Sequence, residues 1–250
     1  MSVTFRPNIE WPKNDLLLPA EWFDVKIPPG LNSFYIRNPN FVDVTTMMKL
    51  AKDDGTFASG GLKMTNGLVT ADLKVRFANP ASQWRRTSLS GAKDASHGPF
   101  QYQFTGGEVF LDLFLGIYLL KSVDYDLDDD LSVQIFARLY EHELLHVADE
   151  VSLVNNWLTP HLNTDPDVSR YLVRGEPYVY GTPSMMAGQA DSDFQTFIGN
   201  TIQVAIFNVW ATESNRREAI RDAPKEYKIV QDKVDDLRAR QINRPHAVHH

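Results

Sequence analysis

Cysteine is absent from the 250 residues of this chain, so the protein can form neither disulfides nor thiolate metal sites. Any metal ion would have to be bound by histidine, aspartate or glutamate. The redox compartment stays open, because a chain without thiols is compatible with either environment. A chain of this length buries a core without disulfide or metal support, so we expect a bound metal to serve chemistry.

Long apolar runs are also missing. No stretch approaches the roughly 20 apolar residues that a membrane span requires, and residues 1–13 lack the basic and apolar regions of a Sec signal. We therefore expect a soluble protein without a membrane span, either cytoplasmic or exported without a leader or after its removal.

A basic stripe is the third absence. The formal net charge is -7, Lys and Arg are scattered, and 43% apolar with 23% charged residues is a globular composition. Nucleic acid is therefore not expected as a partner.

The first third of the chain is predicted to form an extended arm followed by one strand and one helix. Residues 1–32 contain five prolines between aromatic residues, a pattern that favours an arm over a helix. Ser33–Arg37 is predicted as a short strand. Apolar residues from Phe41 to Ala51 then recur at helical spacing.

Two segments alternate between apolar and polar residues as strands do. They cover residues 69–77 and 109–119. The polar, Gly- and Ser-containing segment 79–100 is predicted as a loop.

The second half of the chain is predicted to be mainly helical. Asp128–Asp130 precede a periodic apolar pattern that reaches Leu158, and a second long helix runs from about Asp193 to Asp222. Residues 159–190 between them have little periodicity and are predicted to be irregular. Asp222, Ala223 and Pro224 are typical of a capped start to a final helix. The predicted organisation is an arm (1–32), a catalytic domain (33–222) and a C-terminal helix with tail (223–250).

The sequence His142-Glu143-Leu144-Leu145-His146 lies within the first long helix. Histidines four residues apart leave the same face of a helix and can share one tetrahedral zinc ion. Zinc lowers the pKa of bound water and polarises a carbonyl, and Glu143 is placed to act as the general base. The motif predicts a zinc hydrolase; the alternative is a solvated histidine pair on a structural helix.

At these residues the chain resembles the zincin metallopeptidases, and from about residue 33 to 157 it is similar to a bacterial family of zinc-dependent proteases. The resemblance implies an α+β zincin-like fold with a small sheet, an active-site helix and C-terminal helices. It also implies that an edge strand, here residues 109–119, binds a peptide or protein substrate by strand addition. His142 and His146 would bind Zn²⁺, and Glu143 would be catalytic.

The third metal ligand does not follow from the motif. The metzincin pattern is excluded, because Asp149 and Ser152 stand where it requires glycine and histidine. The gluzincin arrangement, with a glutamate on the next long helix, favours Glu213. His161 and Glu176 remain alternatives, and we expect Asp149 and Glu150 to have supporting roles.

Other residues with possible chemistry have simpler explanations. Tyr178 and Tyr180 are candidates for donating a hydrogen bond to an oxyanion, but a packed aromatic loop is the favoured interpretation. The histidines at 246, 249 and 250 are interpreted as a tail, and the acids from Asp124 to Asp130 as a capped turn.

Two further functions stay open. A catalytically inactive zincin-like interaction module is one, and a non-haem iron enzyme using the same histidine pair is the other.

Overall fold

The computed structural model describes residues 2–10, 28–29, 39–53, 66–89, 96–120 and 130–243. Helices and strands are mixed, as an α+β fold requires. None of the described helices has the length and apolar content needed to cross a membrane. The strands are β1 (Val3–Glu10), β2 (Asn40–Val42), β3 (Gly67–Phe77), β4 (Trp84–Ser88), β5 (Phe100–Phe104), β6 (Gly107–Leu120) and β7 (Tyr178–Tyr180).

The helices include two π-helical segments. In chain order they are α1 (Val44–Asp53), α2 (Pro80–Gln83), α3 (Asp130–Ser152), a π-helix (Leu153–Leu158), α4 (Thr159–Leu162), α5 (Pro166–Val168), a second π-helix (Ser169–Val173), α6 (Ala187–Arg221) and α7 (Pro224–Ile242). The three long predicted helices are confirmed. Of the segment 159–190, predicted to be irregular, residues 159–186 contain only short elements, and α6 already begins at Ala187.

Strand β6 is central in a four-stranded sheet, where β1, β2 and β3 all pair with it. β2 runs parallel to it, with Asn40 opposite Tyr118 and Val42 opposite Leu120. The prediction of a strand at 109–119 is confirmed, but its placement at the sheet edge is wrong. Alternation reports which face of a strand is buried and not how many of its edges are paired, and β6 has neighbours along both edges.

Strand β3 pairs with β6 and with no other strand among the described residues. The N–H of Leu120 donates to the carbonyl of Asn66 (2.9 Å), and the N–H of Ala78 donates to the carbonyl of Glu108 (3.1 Å). These two bonds define an antiparallel pair in which the even-numbered residues of β3 face β6. The odd-numbered residues therefore direct their backbone groups to the outer edge.

The chain divides into two compact units, and the first comprises residues 1–9, 73–113 and 153–214. It contains the antiparallel sheet β4-β5-β7. Its aromatic core includes Trp84, Phe104 and Phe194, and the ring of Tyr102 stacks on Phe194 at 3.8 Å. The predicted loop 79–100 is therefore wrong over β4. Only Trp84 of that strand is buried, so its apolar pattern is too short to identify it.

The second unit comprises residues 10–72, 114–152 and 215–250. In it, Asp43 caps α1 by accepting the N–H of Thr46 at 2.8 Å. Met47 and Ala51 bury the apolar face of this helix against Leu68 and Leu120. Helix α7 packs on α3 with Val234 and Leu237 buried.

Parts of the predicted organisation fall outside the described residues. In the Pro-rich segment 1–32, Val3–Glu10 is strand β1 of the sheet, and residues 11–27 are not described. The predicted strand Ser33–Arg37, the acids at 124–129 and the C-terminal histidines also lie outside the described residues.

Candidate metal centre

Helix α3 presents His142, Glu143 and His146 from one region of its surface. His142 and Glu143 are buried, with 8% and 4% of their surface exposed. The two histidine rings stand nearly perpendicular, and their Nε2 atoms are 3.3 Å apart. The spacing of four residues therefore places both imidazole nitrogens at one point, as predicted from the helical repeat.

Asp222 supplies the third potential ligand. It is the first residue after α6 and is separated from α7 by Ala223 alone. Its Oδ1 lies 3.3 Å from Nε2 of His142 and 3.1 Å from Nε2 of His146. Within the described ranges, His142, His146 and Asp222 form the group of three side chains whose arrangement could hold a metal ion.

The distances among these three atoms fit a small cation. Ligands about 2.0–2.1 Å from a tetrahedral zinc are about 3.3 Å from one another, and the three separations are 3.3, 3.3 and 3.1 Å. Apart from the two imidazole nitrogens, Asp222 Oδ1 is buried with no hydrogen-bond partner. A buried carboxylate oxygen needs a donor or a cation, and a cation among the three atoms would satisfy it.

Glu143 occupies a tight position beside β3. Its carboxylate lies against the backbone of Gly67, where an added Cβ would collide with Oε1 and come within 2.7 Å of Cδ. Burial raises the pKa of Glu143, and Asp222 raises it further, while His146 and His142 oppose this shift. A carboxyl whose pKa is raised is a better proton acceptor than an exposed one.

His146 and Asp222 each shift the pKa of the other. Burial by itself lowers the pKa of His146, but contact with Asp222 and the charges of Glu143 and Glu218 outweigh it and raise the pKa to about 9. Burial also disfavours the charged form of Asp222, yet its contacts with His142 and His146 hold its pKa well below the usual range. Without a metal, the site is an ionised carboxylate facing a protonated His146.

A cavity opens in front of these side chains. Asn66 at its wall accepts a hydrogen bond from Arg238 (3.2 Å) and donates one to Gln231 (3.3 Å). The described lining contains three carboxylates and neither Lys nor Arg, which makes the cavity acidic. The lining residues are Asn66, Gly67, Leu68, Val69, Leu139, His142, Glu143, His146, Glu218, Asp222, Val230 and Gln231.

Glu213, the predicted third ligand, is not a member of the metal-binding group. It is buried in α6, and Asp222 takes the place proposed for it beside the histidines. Nine residues (222 minus 213) separate them, or two and a half helical turns, so the two side chains start from opposite sides of a straight helix.

The remaining candidates have other contacts. His161 stacks on Trp157 at 3.6 Å. Glu176 forms ion pairs with Arg170 and Arg174. The rings of Tyr178 and Tyr180 pack against Phe194 and Phe197, which is the packed-aromatic interpretation. Asp149 pairs with Arg221, and Glu150 is buried.

The sequence predicts Asp222 as part of the capped start of the last helix. In the structure the capping position is Ala223, which makes no side-chain bond to the helix. An acid two residues before a proline, at the junction of two long helices, is the available signal in the sequence. Its carboxylate is directed at the histidines.

Comparisons with protein-family models, curated proteins and solved structures gave no match. The functional assignment therefore depends on the geometry of this site.

Proposed function

We propose that the protein is a zinc-dependent peptidase in which His142, His146 and Asp222 hold the metal and Glu143 is the general base. The observation that carries the proposal is the convergence of three ligand atoms within 3.1–3.3 Å, next to a buried glutamate. The HExxH motif supplies two of these ligands and the base, and Asp222 completes the set.

In the proposed peptide hydrolysis, zinc would activate the carbonyl and the water, and Glu143 would transfer the proton. Zinc, when bound, polarises a carbonyl and lowers the pKa of its water. Glu143 accepts a proton from the attacking water on a carboxylate oxygen and returns it to the nitrogen of the leaving amine. The raised pKa of Glu143 favours acceptance of the proton from water, and its packing on Gly67 fixes its orientation.

Substrate recognition is proposed at the outer edge of β3. Gly67, Leu68 and Val69 line the cavity, and odd-numbered residues of this strand direct their backbone groups away from β6. Further along, the side chain of Gln203 bonds this same edge, accepting from the N–H of Val75 (2.6 Å) and donating to the carbonyl of Leu73 (2.8 Å). An extended peptide would add to the edge at Val69 and Ala71.

The test is Glu143→Gln, assayed for zinc by plasma mass spectrometry and for turnover on a mixture of unstructured peptides. We expect about one zinc per chain and a loss of turnover of about a thousandfold or more, because the base is removed while the ligands stay. His142→Ala should lose both. Glu141→Gln, which removes a partly exposed partner of Arg138 on the same helix, is the matched control and should retain both. Unchanged turnover in Glu143→Gln would end this mechanism.

A non-haem iron enzyme is the second candidate, because two histidines and one carboxylate are the ligands of the iron facial triad. Under this alternative, anaerobic loading with Fe²⁺ would confer oxygen consumption, and Glu143 would be dispensable. A wild-type chain that takes up neither zinc nor iron would instead favour an interaction module.

A further inference from the structure

An ion pair joins the end of α6 to the helix that carries the HExxH motif. Arg221 donates from Nε to Asp149 Oδ2 and from Nη2 to Asp149 Oδ1, both at 2.9 Å. Arg217, one turn earlier, donates to the backbone carbonyl of Asp149 at 3.1 Å. Two arginines on one helix thus hold one residue of α3.

The two ends of this ion pair are close in sequence to the metal site. Asp149 lies three residues after His146, and Arg221 directly precedes Asp222. Asp222 is the first residue beyond α6, where its N–H makes a terminal helical bond to the carbonyl of Glu218 (2.8 Å). The direction of its side chain therefore depends on how the last turn of α6 is held.

Stability alone is a weak explanation for the pair. Both side chains are partly exposed, 33% for Arg221 and 27% for Asp149, and pairs of this exposure contribute little to folding. A bidentate arginine-carboxylate contact instead fixes orientation as well as distance, which a single point charge does not.

We propose that Asp149 and Arg221, supported by Arg217, are positioning residues that hold Asp222 in place as the third metal ligand. The inference rests on the proposed metal site. It gives Asp149, which occupies the position of the metzincin glycine, a defined role outside the ligand set.

The sign of the effect separates positioning from simple electrostatics. Arg221 is a positive charge adjacent to a ligand, so its removal should strengthen binding of a dication if charge alone mattered. If Arg221 positions Asp222, its removal should weaken binding. Asp149→Asn weakens binding under both explanations, so Arg221 is the decisive residue.

The experiment measures the dissociation constant of Zn²⁺ by competition with a chromophoric chelator for wild type, Arg221→Gln, Arg221→Lys and Asp149→Asn. We expect about 10- to 100-fold weaker binding for Arg221→Gln, the range found when a group that orients a metal ligand is removed. Arg221→Lys keeps the positive charge but not the two-pronged guanidinium contact, so its dissociation constant should lie between those of wild type and Arg221→Gln. Arg240→Gln, which breaks the exposed ion pair with Asp236, is the matched control and should bind as wild type does.

A second background tests whether Arg221 acts through Asp222. In Asp222→Ala, which retains the two histidines, Arg221→Gln should weaken zinc binding no further. An equal loss in both backgrounds would show a general effect of the fold and would overturn the proposal. Thermal unfolding with chelator present checks that the metal-free variants are folded. If Arg221→Gln does not fold, Arg221→Lys and Asp149→Asn decide, and an unchanged zinc affinity in both variants overturns the proposal.

The outcomes also separate this inference from the proposed function. A wild-type chain that binds no zinc overturns both. Zinc binding that is unchanged or tighter in Arg221→Gln overturns the positioning role and leaves the metal site intact. Peptidase turnover is not needed for either conclusion.

Discussion

Gly67 is the residue that gives Glu143 its space. Because an added Cβ would collide with the Glu143 carboxylate, Gly67→Ala should displace the base while His142, His146 and Asp222 stay in place. We expect turnover to fall by at least about tenfold, given that small misplacements of a catalytic group have large costs, with zinc content unchanged. Steady-state kinetics and metal analysis on the same preparation check this.

Gly199→Ala is the control for that substitution. An added Cβ at Gly199 in α6 meets nothing within 4 Å, so this variant should keep full turnover. It should also be slightly more stable, by about 0.5–1 kcal/mol, since alanine is the better helix former. Equal turnover in both glycine variants would show that Glu143 adapts to the lost space.

The stability of the metal-free protein should depend on the protonation of His146. The pKa of His146 is raised from 6.5 to about 9 in the folded protein. Its contribution is therefore fully present below about pH 6.5 and is lost as the pH rises through about 9. The change is on the order of 3 kcal/mol. Asp222 stays ionised over this window because its pKa is lowered.

Urea unfolding with chelator present, at about pH 6 and about pH 9.5, measures that change. Asp222→Asn should remove most of it, because the main favourable partner of His146 is lost. A wild-type stability that does not decrease between these two pH values would contradict the coupling of His146 to Asp222.

The sequence predicts the roles of some site residues and not of others. His142, Glu143 and His146 were predicted as a unit because their relation depends only on the repeat of one helix. Asp222 was not, because its approach to the histidines depends on where α6 ends and on the ion pair of Arg221 with Asp149. Neither is contained in a local pattern.

At the scale of elements, the alternating pattern identified strands but not their order. Residues 109–119 and 69–77 alternate in similar ways, yet β6 has three partners and β3 has one in the described part of the sheet. Hydrophobic alternation reports which face of a strand is buried, not which of its edges is paired. We therefore propose β3, and not β6, as the strand that binds substrate.

Strand β3 provides a direct test of substrate binding. Val69 lines the cavity, and its N–H points away from β6, so Val69→Pro removes an outer donor without removing a bond of the β3–β6 ladder. We expect the KM for peptides to rise about tenfold, with zinc content retained. Val69→Ala keeps the N–H and is the control. Equal KM values in the two variants would place the substrate elsewhere.

At the scale of the whole molecule, metal binding should stabilise the fold. A ligand at about 100 times its dissociation constant stabilises the native state by about 2.7 kcal/mol, which for a chain of this size raises Tm by about 5–10 °C. Thermal unfolding with zinc and with chelator measures the difference. His146→Ala should show no such shift, and a shift of equal size in that variant would place the zinc at another site.

The three long helices followed from periodicity over many residues. The short strands β4 and β7 did not, because three to five residues carry too little pattern. They are defined instead by pairing with β5. Long elements are thus predictable from local sequence. Short strands depend on pairing with distant strands, which local sequence does not predict.

The position of Asp222 also has a consequence for the order of synthesis. A nascent chain acquires the HExxH helix before it acquires Asp222 and α7, which follow that helix in the sequence. Under the proposed mechanism, a chain still growing on the ribosome has two ligands and a base but no complete metal site. A peptidase built in this way would become active only after almost all of the described chain has been translated, which protects its own unfolded segments and neighbouring nascent chains from cleavage.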